Sequence, residues 1–196
     1  MNNKLLYGLI GLIVGAVGMG LLNTTSISHN KNAMMDSEGI DAHFIEQMVP
    51  HHEGAITMSK LAEQKAKRPE VKQLAKNIIA SQSKEIDQMK KWYSTWFAKE
   101  LTDSKEENEN DGMMGNRGIQ MGMMGNDTDM NDLKNANDFD RTFIEEMIPH
   151  HQMAIMMATM LKAGTTRPEM QKLADSIIAA QTAEITQMKQ WLIDWK

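Results

Sequence analysis

The chain has 196 residues, a formal net charge of −5, 41% hydrophobic residues and no cysteine. That length buries one modest core, the charge gives nucleic acid no basic surface to bind, and the lack of thiols excludes disulfides, thiolate metal sites and cysteine nucleophiles. Methionine is abundant, with 20 residues, and its thioether serves either as flexible core filler or as the soft metal ligand left to a thiol-free protein.

Leu5 to Leu22 is an uncharged stretch of 18 residues, just long enough to span a hydrocarbon core of ~30 Å as one transmembrane helix. Lys4 ahead of it places the N-terminus in the cytoplasm and the remainder outside. The flank "LLNTTSISHN" offers no clear small-x-small cleavage site. Residues 1–30 are therefore expected to form an uncleaved membrane anchor and tether, with cleavage and secretion as the alternative. The rest of the chain is then periplasmic or extracellular.

From Asp41 onward the chain repeats itself. Asp41 to Trp96 aligns with Asp140 to Trp195 without a gap, and 27 of the 56 positions are identical. Each copy reads as two helices. Pro69 and Pro168 break one helix and open the next at its first turn, where a missing N–H is harmless, and Gly164 marks a helix end. Residues 37–100 and 137–196 are thus two helical hairpins, and two hairpins with apolar stripes bury them most economically as an all-α four-helix bundle. Residues 101–136 read as a flexible linker, too polar and glycine-rich for a fifth core helix. Within it, "GMMGNRGIQMGMMGNDTDM" holds six methionines, a second candidate region for a soft cation, and the acidic run "DSKEENENDG" is a solvated tether.

The sequence "MVPHHEG" at 48–54 recurs as "MIPHHQM" at 147–153. At 100° per residue Asp41, Phe44, Met48, His51, His52, Ala55, Ser59 and Ala62 share a stripe about 100° wide, so both histidines face inward. Met48 and His52 are i, i+4 neighbours, as are Met147 and His151. On the second helix Val71, Leu74, Ala75, Ile78, Gln82, Glu85, Met89, Trp92 and Trp96 form the apolar stripe. A carboxylate inside such a stripe needs a partner. Folding the hairpin about residues 67 and 68 sets His51 and His52 opposite residues 83 to 85, which makes Glu85 that partner. Gln181, Glu184 and Met188 repeat Gln82, Glu85 and Met89. Pro50 and Pro149 either interrupt a helix, freeing the carbonyl four residues earlier, or begin one. The stripe's continuation back to Asp41 favours the interruption. Trp92, Trp96, Trp191 and Trp195 are expected to close the bundle's ends.

"HFIEQMVPHHEGAITM" and "TFIEEMIPHHQMAIMM", each followed by "RPE" and then by a Glu-Ile-x-Gln-Met-Lys-x-Trp segment, resemble the family called domain of unknown function 305. The resemblance covers nearly everything from Asp41 to the C-terminus except the linker. It implies a ferritin-like four-helix bundle, often exported, in a family with members implicated in copper binding and copper tolerance. By that resemblance Met48, His51, His52, Glu85 and Met89, with Met147, His150, His151, Glu184 and Met188, are the candidate metal residues. The glutamates are either ligands or groups that fix a histidine tautomer, and the methionines are either ligands or packing.

Histidine with thioether in an exported, thiol-free chain favours copper, as Cu(I) or Cu(II), over zinc, while calcium and magnesium would want more oxygen; another transition metal stays open. The leading expectation is a membrane-anchored protein that sequesters copper or passes it to a copper-handling partner. A structural or partner-binding bundle with a buried His/Glu network is the alternative. A di-iron oxidase is unsupported, because neither copy carries the Glu-x-x-His pairs of a di-iron bundle, and "HHEGAI" is not the His-Glu-x-x-His of a zinc protease; a metal-dependent oxidase acting on Cu(I) stays open as the least motivated alternative.

Overall fold

The computed structural model describes residues 36–98, 100–101 and 127–195, and among them every regular element is an α-helix. In chain order these are α1 (Ser37–Lys65), α2 (Pro69–Phe97), α3 (Asp127–Asn135), α4 (Phe139–Gly164) and α5 (Pro168–Asp194). The apolar stretch Leu5 to Leu22, the acidic run and the linker methionines 113–124 lie outside the described residues. Among the described residues no helix is long and apolar enough to cross a membrane.

The helix ends follow from local chemistry. Asp36 caps α1 by accepting from the Gly39 N–H at 2.8 Å, and Asp138 caps α4 by accepting from the Arg141 N–H. Pro69 and Pro168 each occupy the first turn of their helix, behind an extended arginine. Gly164 ends α4, and a Cβ there would sit 2.6 Å from Ile40 Cδ1, so the glycine lets the end of α4 approach the start of α1. Pro50 and Pro149 lie inside α1 and α4, so neither begins a helix. Lacking an N–H, they leave the carbonyls of Glu46 and Glu145 without the usual helical donor.

Residues 66–68 and 165–167 turn each hairpin, so α2 runs back along α1 and α5 along α4, and α1 packs against α4. Two apolar clusters fill the interior. One joins the first half of α1 (Phe44, Ile45, Met48) and the end of α2 (Met89, Tyr93) to the end of α4 and the start of α5. The other joins the end of α1 and the start of α2 to the first half of α4 (Phe143, Ile144, Met147) and the end of α5 (Met188). The pairing of opposite halves sets α1 antiparallel to α4, with the two repeats related by an approximate twofold. A fully buried methionine side chain contributes about 1.5–3 kcal/mol, and Met48, Met89, Met147 and Met188 are each 0% exposed.

The linker differs from its expectation at its end. Residues 127–135 form α3, which packs on α4 and buries Leu133 in the second cluster. The stretch is polar, but one leucine on a nine-residue helix is enough to dock it.

Candidate metal centre

The two apolar clusters leave a gap in the chain between Val49 and Ala55 on α1, between Ile78 and Ile86 on α2, and at the matching levels of α4 and α5. His51, His52, Gln82, Glu85, His150, His151, Gln181 and Glu184 occupy that level. The mid-plane of the bundle is therefore a polar layer between two apolar ones.

His52 is fully buried and its Nε2 lies 2.7 Å from Glu85 Oε2; His151 and Glu184 repeat the pair at 2.7 Å. A carboxylate only accepts, so a neutral ring donates from Nε2 and carries its lone pair on Nδ1. Nδ1 of both His52 and His151 is buried without a hydrogen-bond partner. In that tautomer, set by the carboxylates, the Nδ1 lone pair is buried and free.

His51 and His150 come from different repeats, yet their ring centroids are 3.8 Å apart with planes 44° to each other. Within each pair the rings are farther apart, 6.3 Å for His51–His52 and 6.4 Å for His150–His151. Both nitrogens of His51 and of His150 are buried and unpartnered. Burial, and then the neighbouring imidazoles, hold the pKa values of His51 and His150 far below the ordinary histidine range. The central pair is uncharged at neutral pH, which is the form of imidazole that binds metal.

The structure therefore brings His52 to Glu85, His151 to Glu184 and His51 to His150. It places Met48 and Met89 in the apolar cluster on one side of the layer and Met147 and Met188 in the cluster on the other. Among the described residues no three His, Asp or Glu side chains converge on a single ion position. What the site offers is neutral nitrogen with thioether sulfur one turn away along each helix, a donor set that suits a soft ion.

Two residues of the layer were absent from the expected site. Gln82 and Gln181 are each 3% exposed, and the Oε1 of each has no partner. Both copies keep the amide inside the apolar stripe, and that was the available signal. A buried acceptor left unpaired costs about 1–3 kcal/mol, so its retention asks for a donor or a ligand.

The tryptophans have a more specific role than closing the ends. Trp92 stacks on Trp96 and Trp191 on Trp195. Arg167 lies over Trp96 at 4.5 Å and Arg68 over Trp195 at 4.1 Å, so each repeat's hairpin turn is held by the other repeat's last aromatic pair.

Residues 41–192 match the model of the family described as domain of unknown function (DUF305). The chain is similar to CopM in its Cu(II)-bound form, at 47% identity over 80% of this chain and 98% of that one, with a TM-score of 0.65. It is likewise similar to CopM in its Cu(I)-bound form, at 47% identity over 79% and 96% of the two chains, with a TM-score of 0.64. Uncharacterized protein L153 of Acanthamoeba polyphaga mimivirus is 49% identical over 49 residues, which is 25% of this chain and 32% of that protein. The chain thus spans about a third of that relative's length.

Proposed function

Because the chain belongs to the DUF305 family, we propose that it binds copper in the polar layer at the middle of its bundle and sequesters the ion or hands it on. The observation that carries this is the set of four imidazoles in the layer, three of them buried and the fourth, His51, half-buried with both ring nitrogens inside. His51 and His150 meet at 3.8 Å, and every ring presents a nitrogen without a partner. Buried groups in that number call for a partner, and a bound metal ion would supply one. CopM supports the choice of ion, since a chain 47% identical to this one has been seen with Cu(I) and with Cu(II). Copper is cargo in this reading, held by His51, His52, His150 and His151, with Met48, Met89, Met147 and Met188 supplying thioether if the ion is Cu(I).

The uncharged stretch Leu5 to Leu22 behind Lys4 supports a membrane-anchored protein whose bundle lies outside the cytoplasm. Such a protein would protect the cell by holding copper or pass it to a partner of the same compartment. The test is an anaerobic Cu(I) titration of the chain against a variant with all four histidines changed to alanine. Tight binding lost in the variant is the expected result; equal binding in both moves the site to the methionines, and no binding in either overturns the proposal.

A second reading has one observation in its favour. Nε2 of His52 and of His151 is already satisfied at 2.7 Å by Glu85 and Glu184 without any ion, as it would be in a purely structural polar layer. The two readings part on stability. A metal that selects the folded state raises it by about 2.7 kcal/mol at a hundredfold excess over its Kd, whereas a structural layer is indifferent to copper.

A further inference from the structure

Helix α4 carries methionines that the buried layer does not use. Met153, Met156, Met157 and Met160 follow one another at i, i+3, i+4 and i+7, which places them within about 100° of arc along one flank of the helix. Met157 packs partly against the first apolar cluster and Met153 is partly buried, but Met156 is 43% and Met160 63% exposed. Among the described residues these two and Ile193 are the exposed large hydrophobic side chains. The matching positions of the first repeat are Gly54, Thr57, Met58 and Leu61, so the duplication does not account for the stripe.

Core packing does not account for Met156 and Met160 either, because they face water. The flank is also uncharged: no Asp, Glu, Lys or Arg occurs from Pro149 to Leu161, whereas α1 carries Glu53 and Lys60 over the corresponding stretch. Neutral thioethers without carboxylate cannot hold a hard or highly charged cation, but they match a soft monovalent one. Residues four apart on a helix have Cβ atoms about 5–6 Å apart, and methionine has three rotatable bonds with which to turn its sulfur toward a common point.

We infer that Met156 and Met160, with Met153 or Met157 as a third donor, form a surface thioether site for a soft d10 monovalent ion such as Cu(I) or Ag(I), separate from the buried histidines. The inference rests on the copper reading for its biological sense but not for its chemistry. The stripe begins at Met153, three residues after His150, so an ion captured at Met160 and Met156 is held on the helix that also carries the second histidine pair. This gives the second repeat a loading face that the first repeat lacks.

The test is a titration of the full chain, labelled with 13C at the methionine methyl groups, with Ag(I) as a redox-inert probe. M156L and M160L identify the two methyl resonances, and leucine at an exposed helical position leaves the fold intact by circular dichroism. The Met156 and Met160 methyls are expected to shift together and to saturate together, while Zn(II) leaves them in place. The double variant M156L/M160L is expected to take up one Ag(I) fewer per chain. Unmoved methyls, an unchanged stoichiometry, or an equal response to Zn(II) would overturn the site. A stripe that serves only to dock a protein gives the first of these. Histidine ring resonances are read in the same titration. If they stay still while the two methyls move, the histidine reading fails and the thioether site stands; the reverse pattern separates the two the other way.

Discussion

Asp140 of the second repeat accepts a hydrogen bond from the backbone N–H of Arg68, in the hairpin turn of the first, at 2.8 Å. The same carboxylate also takes the Lys67 N–H at 2.9 Å and the Arg68 guanidinium at 3.4 Å, and Asp140 is only 2% exposed. Asp41 mirrors it, 3.0 Å from Arg167 Nε of the other turn, yet neither of its oxygens is aligned for a hydrogen bond. Asp140→Ala strands two turn N–H groups and should cost about 3 kcal/mol. Asp41→Ala removes the Arg167 ion pair and the neighbouring Thr165 side-chain contact but strands no turn N–H, and its arginine still rests on Trp96, so it should cost less. Urea midpoints at constant m-value measure both, and a loss in Asp41→Ala equal to that in Asp140→Ala would contradict the assignment.

The central histidine pair makes stability depend on pH. Burial lowers His51 from 6.5 to about 3 and lowers His150 as well, so between those values the unfolded chain binds protons that the folded chain refuses. Stability from this source is complete above pH 6.5 and is lost as pH falls toward 3, with a slope of up to about 2.7 kcal/mol per pH unit for two groups. The metal-free protein should therefore unfold at lower urea concentration at pH 5 than at pH 7. In H51Q/H150Q the dependence should flatten. A wild-type midpoint unchanged over that interval would contradict the burial of both rings.

Much of this arrangement is legible in the sequence, and the rest is not for a definite reason. The proline after each arginine and the repeated stripe locate the four long helices, and the hairpin's length alone sets Glu85 opposite His52. The stripe continuing back to Asp41 also shows that Pro50 interrupts a helix. Periodicity tells which face of a helix is buried but not which helix covers it. The His51–His150 contact and the Asp140–Arg68 contact both join residues of different repeats, so they depend on how the hairpins dock. Leu133 was missed because one leucine in a polar stretch gives no period at all.

Glu85 and Glu184 should tune metal affinity without being needed for the fold. Each is only partly exposed, at 18% and 20%, and holds a buried histidine Nε2 at 2.7 Å. Glu85→Gln keeps an acceptor but removes the negative charge that holds the ring in one tautomer. Groups in that position typically contribute tenfold to hundredfold in affinity. Copper affinity, measured by competition with a chromophoric chelator, is expected to fall by about that factor in Glu85→Gln, with the urea midpoint little changed. An affinity equal to wild type would make the pair purely structural.

The 3.8 Å separation of His51 and His150 decides what happens when one repeat is disarmed. Two independent sites would each keep their own histidines, and replacing His51 and His52 with alanine would then remove half of the tight copper. In the folded bundle, however, the inner ring of each repeat touches the inner ring of the other, while the outer rings lie more than 6 Å from their neighbours, at 6.3 and 6.4 Å. Any ion that uses His51 lies beside His150 as well. H51A/H52A is therefore expected to lose all histidine-dependent copper binding, and H150A/H151A to match it. Stoichiometry by anaerobic titration reads the outcome directly: retention of half the equivalents in either double variant would mean that the repeats bind separately and that the central contact is packing alone.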